Sequence, residues 1–216
     1  MEALRPEVAE LVSLSAAIAA GDGAEVARSA EGALGAGAAP SAVYETVLQS
    51  YLFVGFPRAI EAFFAVGPVL ARAGGAPGAG SGSDPGSEPT GADVDRWHRD
   101  GERLCRRVYG ANYAKLLETM RGLSPDLARW MLLEGYGKTL SRPALDAVAR
   151  EYAVVAILTV TRMWRQLRSH AIGAVHVGGT RAGVLAAIER CAPFADTSTL
   201  EEARRVAALA YDHAAR

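Results

Sequence analysis

Cysteine is nearly absent from this chain of 216 residues: Cys105 and Cys191 are its only two, far apart and in no C-x-x-C pair. That spacing gives neither a disulfide framework nor a cysteine zinc site. Aromatic residues are scarce at 7%, while alanine is abundant. This favours helices over a β-sandwich, because alanine is the strongest helix former and strands prefer β-branched and aromatic residues. No basic tract occurs, and 23 Lys and Arg face 24 Asp and Glu, so the electrostatic footprint of a nucleic-acid binder is missing. Long apolar runs are lacking too. The longest, Tyr152 to Val160, is about half the ~20 residues of a membrane span, and no membrane association is expected. The opening MEALRPEVAE lacks the basic-then-apolar order of a signal peptide, which makes a cytoplasmic location the expectation.

What the chain does have is core material, half of its residues being hydrophobic, and clear punctuation. Residues 73–93 read AGGAPGAGSGSDPGSEPTGAD, with 13 of 21 positions Gly, Pro or Ser. Such a segment behaves as a flexible linker with a span of roughly 25 Å. It divides the chain into residues 1–72 and 94–216. In the first part Pro6 starts a helix with apolar residues at helical spacing (Val8, Leu11, Val12, Ile18). Gly21-Asp22-Gly23 separates it from a second helix over 24–34. Pro40-Ser41 opens a third helix, and Gly55-Phe56-Pro57 breaks it before a fourth that runs to Val69. In the second part an amphipathic stretch spans 94–120, Ser124-Pro125 caps a helix ended by Gly135 and Gly137, and Pro143 opens a long apolar helix. The run VVAILTVT has strand character, but ALDAVAREY leads into it in helical phase with no breaker, which favours helix. Gly178-Gly179-Thr180 introduces a further helix from Arg181.

A shift of 141 residues without gaps places Glu10 on Glu151, Gly32-Ala33 on Gly173-Ala174, Gly37 on Gly178 and Val43 on Val184. The identities are few, yet the order helix, polar turn, helix, glycine turn, helix is shared. We read it as a duplicated unit.

Three stretches carry a family resemblance: TVLQSYLFVGFPRAIEAF (46–63), YGKTLSRPALDAVAREYAVVAIL (136–158) and QLRSHAIGAVHVGGTRAGVLAAI (166–188). They resemble the carboxymuconolactone decarboxylase and alkylhydroperoxidase D-like superfamily in the G-x-P helix start, the tyrosine-glycine turn, the arginine-proline helix start and the L-x-x-H segment. The resemblance implies an all-α fold of two helical units and a homotrimer of such double units. Peroxidase members carry Glu, then C-x-x-C, then His, the glutamate 19 residues before the histidine. Glu151 and His170 have that spacing, but Met163 and Gln166 stand at the thiol positions. Dithiol chemistry needs one thiol to attack and another to resolve, so a cysteine peroxidase is excluded. The decarboxylase pattern also departs here: Lys138 replaces a glutamate, His176 an asparagine, and Ser29 stands at the first unit's histidine position.

His170 is the candidate acid-base group, since an imidazole passes protons either way near neutral pH. Glu151 would orient it. Lys138 or Arg142 would hold a departing carboxylate, with His176 as a further substrate-binding candidate. The plainer alternative has His170 packing at a helix end while Glu151 pairs with Arg150 or Arg162. His170 and His176 fall on different faces of a helix, and neither a metal nor a cofactor is expected. Tyr44, Tyr51, Phe53 and Phe56 are expected in the core, and Glu201 is expected to pair with Arg205. The reading is therefore a cofactor-free lyase or isomerase acting on a small carboxylate or lactone. The alternative is a family member without catalysis that serves as a binding or assembly module.

Overall fold

The computed structural model describes residues 4–75 and 88–214. Most of the expected linker, and with it residues 76–87, lies outside the described residues. Every regular element among the described residues is helical: α1 (Pro6–Ala20), α2 (Gly23–Gly35), α3 (Pro40–Arg72), α4 (Gly91–Tyr109), α5 (Tyr113–Leu123), α6 (Pro125–Trp130), a π-helical stretch (Met131–Leu140), α7 (Ala147–Val160), α8 (Trp164–His176), α9 (Arg181–Glu189) and α10 (Thr197–Ala214). The fold is all-α.

Local chemistry sets the boundaries. Proline occupies the first turn of α1, α3 and α6, where its missing N–H costs nothing. Side chains of Asp22, Thr90, Ser124, Asp146 and Thr180 accept hydrogen bonds from the first turns of α2, α4, α6, α7 and α9. Asp146 is therefore the cap of α7, which starts at Ala147, and Pro143 falls in the preceding turn. Gly55 (φ 78°) kinks α3 without ending it. The amphipathic stretch 94–120 is interrupted at Gly110. Gly135 and Gly137 do not end their helix, which continues with π geometry to Leu140. Their region serves close packing instead: a Cβ on Gly137 would lie 2.0 Å from the Trp97 carbonyl oxygen, and one on Gly101 2.1 Å from that of Leu132. Helix α4 and the π stretch thus cross backbone against backbone.

The shift of 141 residues carries α1 onto α7 to within one residue, α2 onto α8, and the start of α3 onto the start of α9. The left-handed turn residues follow the same register: Gly21 (φ 83°) with Arg162 (φ 57°), and Gly37 (φ 96°) with Gly178 (φ 109°). Helix α10 starts where the shift puts Phe56, just beyond the α3 kink. The segment α4 to the π stretch has no counterpart in this register.

One apolar core joins both ends of the chain, with Leu11, Val12, Leu14 and Val47 packed among Val155, Leu167, Ile188 and Ala207. A smaller cluster (Cys105, Val108, Leu117, Leu132, Tyr136) belongs to α4, α5 and the π stretch, and Leu52 and Val177 pack on it. Several surface expectations change. Phe56 is 66% exposed rather than in the core. Arg205 pairs with Glu202, and Arg204 with Glu189, so the Glu201–Arg205 pair does not form.

Candidate functional site

Helices α7 and α8 meet at a tight turn through Arg162, which folds them side by side. The turn brings Glu151, one turn into α7, opposite His170 on α8. Nδ1 of His170 lies 2.8 Å from Oε2 of Glu151, and both residues are buried. An ionised carboxylate can only accept, so opposite it Nδ1 is the donor; in the neutral tautomer that matches this bond, Nε2 is an acceptor. Nε2 has no hydrogen-bond partner among the described residues. The ring of Phe53 stands edge-on to His170, with centroids 5.7 Å apart.

Gly173, nearly one turn beyond His170, makes room for the carboxylate: a Cβ there would lie 3.3 Å from Glu151 Oε2 and 2.6 Å from Val108 Cγ1. Val108 belongs to α4, which covers the pair. Three more groups, two on α4 and one on the π-helical stretch, feel the charge of Glu151. Burial, reinforced by that charge, pushes the Cys105 thiol and the Tyr109 hydroxyl up to about 12. Burial, then Tyr109 and Glu151, raises Tyr136 well above the ordinary tyrosine range. The two tyrosine rings meet edge to face at 6.2 Å. Neutral hydroxyls beside a buried carboxylate are donors, and none of these three was singled out by sequence reasoning for the site. Only the tyrosine-glycine turn at Tyr136 gave a signal.

The other sequence candidates are held elsewhere. Lys138 is half exposed, bound to Glu134 at 3.3 Å and placed over the Trp97 ring. Arg142 donates from Nε to Glu45 Oε1 at 2.8 Å. His176 places Nδ1 2.7 Å from the Val108 carbonyl oxygen and so ties α8 to α4. Glu151 pairs with neither Arg150 nor Arg162: Arg162 reaches Asp196, and Arg150 forms a buried junction with α3. There Arg150 Nη2 donates to Glu45 Oε2 at 2.8 Å and Nη1 to Gln49 Oε1 at 3.0 Å. Burial lowers the Arg150 pKa, and the bond to Glu45 opposes the shift. The Gln49 amide nitrogen is buried without a partner. Gln49 lies one turn before Phe53 on α3, on the same helix face.

Cys191 is a buried thiol near the Ala156 and Ala187 carbonyls, pushed up to about 12 by burial. Both cysteines are free. Among the described residues no group of three or more His, Cys, Asp or Glu could hold a metal ion. Four clefts of about 540, 330, 150 and 180 Å³ open on the surface, and neither His170 nor Glu151 lines any of them.

The model of the carboxymuconolactone decarboxylase family matches residues 2–67, the segment that holds α1, α2 and most of α3. Peroxisomal protein 2 of Schizosaccharomyces pombe (strain 972 / ATCC 24843) is 32% identical over 97 residues, 44% of this chain and 45% of that relative. The match therefore spans less than half of the relative's length. The candidate pair, Glu151 and His170, lies outside the family-matched segment but inside helices that repeat its layout. Over this first helical segment, residues 2–67, the chain is similar to the carboxymuconolactone decarboxylase family.

Proposed function

We propose that His170 transfers protons to and from a small carboxylate or lactone, making the protein a cofactor-free lyase or isomerase. The observation that carries this reading is the buried bond of 2.8 Å between His170 and Glu151, which leaves Nε2 available. A carboxylate that fixes the ring and stabilises its charged form is the arrangement general acid-base catalysis needs. Tyr136 donates to Tyr109, which leaves the Tyr109 hydroxyl as a neutral donor nearby, and the buried Gln49 amide supplies a donor that lacks an acceptor. The raised thiols support a mechanism without sulfur, since only the thiolate is nucleophilic. Repeated helix boundaries and turn conformations support the duplication of one unit, with its histidine retained only in the second copy.

A second reading, a family member without catalysis, has its own support. The clefts lie away from His170, and Lys138 and Arg142 are both engaged with glutamates. The deciding experiment incubates the full chain with carboxymuconolactone and a panel of lactone acids in D2O and follows products and C–H exchange by NMR. The first reading expects deuterium in the product, with the rate falling ~10²-fold or more in His170→Ala. Turnover that His170→Ala leaves unchanged excludes this site. Absence of turnover across the panel favours the second reading.

Self-association is part of the same proposal. Phe56, Ile60 and Phe64 form an exposed apolar stripe on α3, at 66%, 49% and 73% exposure. Their counterparts under the shift are Thr197, Glu201 and Arg205, so polar residues suit this position where nothing covers it. Helix α3 is also long and apolar enough by length and composition to cross a membrane. Its kink at Gly55 and its buried Glu45 and Gln49, both bonded within the chain, argue against a membrane span and leave the exposed stripe as the support for contact with further copies.

A further inference from the structure

The cleft of about 540 Å³ lies between α1, α2 and the turn after α9. Three of its residues, Glu10, Ser29 and Gly32, stand where the shift places Glu151, His170 and Gly173. The contact geometry is repeated as well. A Cβ on Gly32 would lie 3.1 Å from Glu10 Oε2, against 3.3 Å for the corresponding pair in the second unit. The difference is the cover. Val108 of α4 crowds Gly173, whereas Gly32 meets only the Glu10 side chain. The first unit's version of the site is therefore open.

Its chemistry differs because Arg190 enters it. The guanidinium is held in place, Nε donating to Ser13 Oγ at 2.8 Å and Nη2 to Glu10 Oε1 at 2.6 Å. Arg190 Nη1, the Ser29 hydroxyl and Glu10 Oε2 have no hydrogen-bond partner among the described residues. Arg28 and Glu25 pair with each other on the same lining. Ala192, Pro193 and Phe194 form an apolar wall. The volume falls in the ~300–1,000 Å³ range of small-molecule sites.

We propose that this cleft binds a small zwitterion with an apolar side group, of the α-amino-acid class. The ligand carboxylate meets Arg190 Nη1 and Ser29, its ammonium meets Glu10 Oε2, and its side group lies against Pro193 and Phe194. A simple anion is disfavoured because three carboxylates (Glu10, Glu25, Glu189) line the cleft against two guanidiniums. A simple amine is disfavoured because Arg190 sits beside the acceptor it would need. The proposal uses no atom of the His170–Glu151 pair, so either site can fail without the other.

Isothermal titration of the full chain with L-leucine, L-phenylalanine, 3-phenylpropanoate and 2-phenylethylamine tests this. Saturable binding of an amino acid is expected, with the anion and the amine each at least about tenfold weaker, a difference of ~1.4 kcal/mol. Ser29→Trp fills the cleft while keeping every charge, and Arg190→Gln removes the guanidinium. Each is expected to abolish binding, and His170→Ala to leave it unchanged. Should Arg190→Gln fail to fold, Ser29→Trp decides. Lack of saturable binding by either amino acid overturns the proposal. So does equal affinity for a singly charged probe, or binding that survives Ser29→Trp.

Discussion

Gly32 and Gly173 occupy equivalent places on α2 and α8, so replacing each by alanine separates the covered site from the open one. In a helix interior the exchange is worth ~1 kcal/mol in favour of alanine. At Gly32 the new methyl meets a carboxylate oxygen at 3.1 Å, on a Glu10 side chain about one third exposed. Glu10 is tied to Arg190 through Oε1 while the contact is with Oε2, and a shift of the carboxylate into the open cleft relieves it, so most of the gain survives and Gly32→Ala is expected to stabilise by about 0.5–1 kcal/mol. At Gly173 the methyl lies 2.6 Å from Val108 Cγ1, on a valine that is 2% exposed. It also presses on a Glu151 carboxylate held by His170. Overpacking of this kind costs about 1–3 kcal/mol, which cancels or exceeds the helix gain. Urea unfolding of both variants should show Gly173→Ala less stable than Gly32→Ala by about 1–3 kcal/mol. Equal stabilisation of the two would refute the placement of α4 against the second site.

Further outcomes follow from the same geometry. Glu45→Ala strands two guanidiniums, one of them buried, and should cost about 3–5 kcal/mol in denaturant melts; a loss below 1 kcal/mol would mean the junction is solvated. Cys105 and Cys191, held protonated up to about 12, should resist iodoacetamide at pH 8 until the chain unfolds, as followed by mass spectrometry; fast labelling of either native thiol contradicts their burial. Phe56→Glu with Phe64→Glu should reduce the molar mass measured by light scattering to that of a monomer. An unchanged assembly would place its contacts elsewhere.

Much of the fold was legible because its boundaries are written in residues with one strong local role. Pro6, Pro40, Ser124 and Thr180 start helices by removing or satisfying orphan N–H groups, and each does so in the structure. The pairing of Glu151 and His170 was expected from the family spacing alone; the tight turn at Arg162 that brings the two together carries no glycine or proline and was not read from the sequence. The misreadings share a cause. Gly135 and Gly137 look like terminators, yet Gly101 and Gly137 are small because two backbones cross there, which only tertiary packing reveals. Pro143 looks like a helix start, but Asp146 provides the cap. The cations were assigned by a family pattern. Arg142 instead follows Glu45, a carboxylate 97 positions earlier that no local signal connects to it. Tyr109 and Cys105 reach the site through the crossing of α4 over α8, a contact without periodicity in the sequence.

The state of one ring nitrogen tests the account most directly. Long-range ¹H–¹⁵N spectra of histidine-labelled protein should show the neutral imidazole of residue 170 protonated on Nδ1 and bare on Nε2, with that preference lost in Glu151→Gln. A proton on Nε2 instead, or a spectrum indifferent to Glu151→Gln, would contradict the claim that this carboxylate readies the ring for proton transfer.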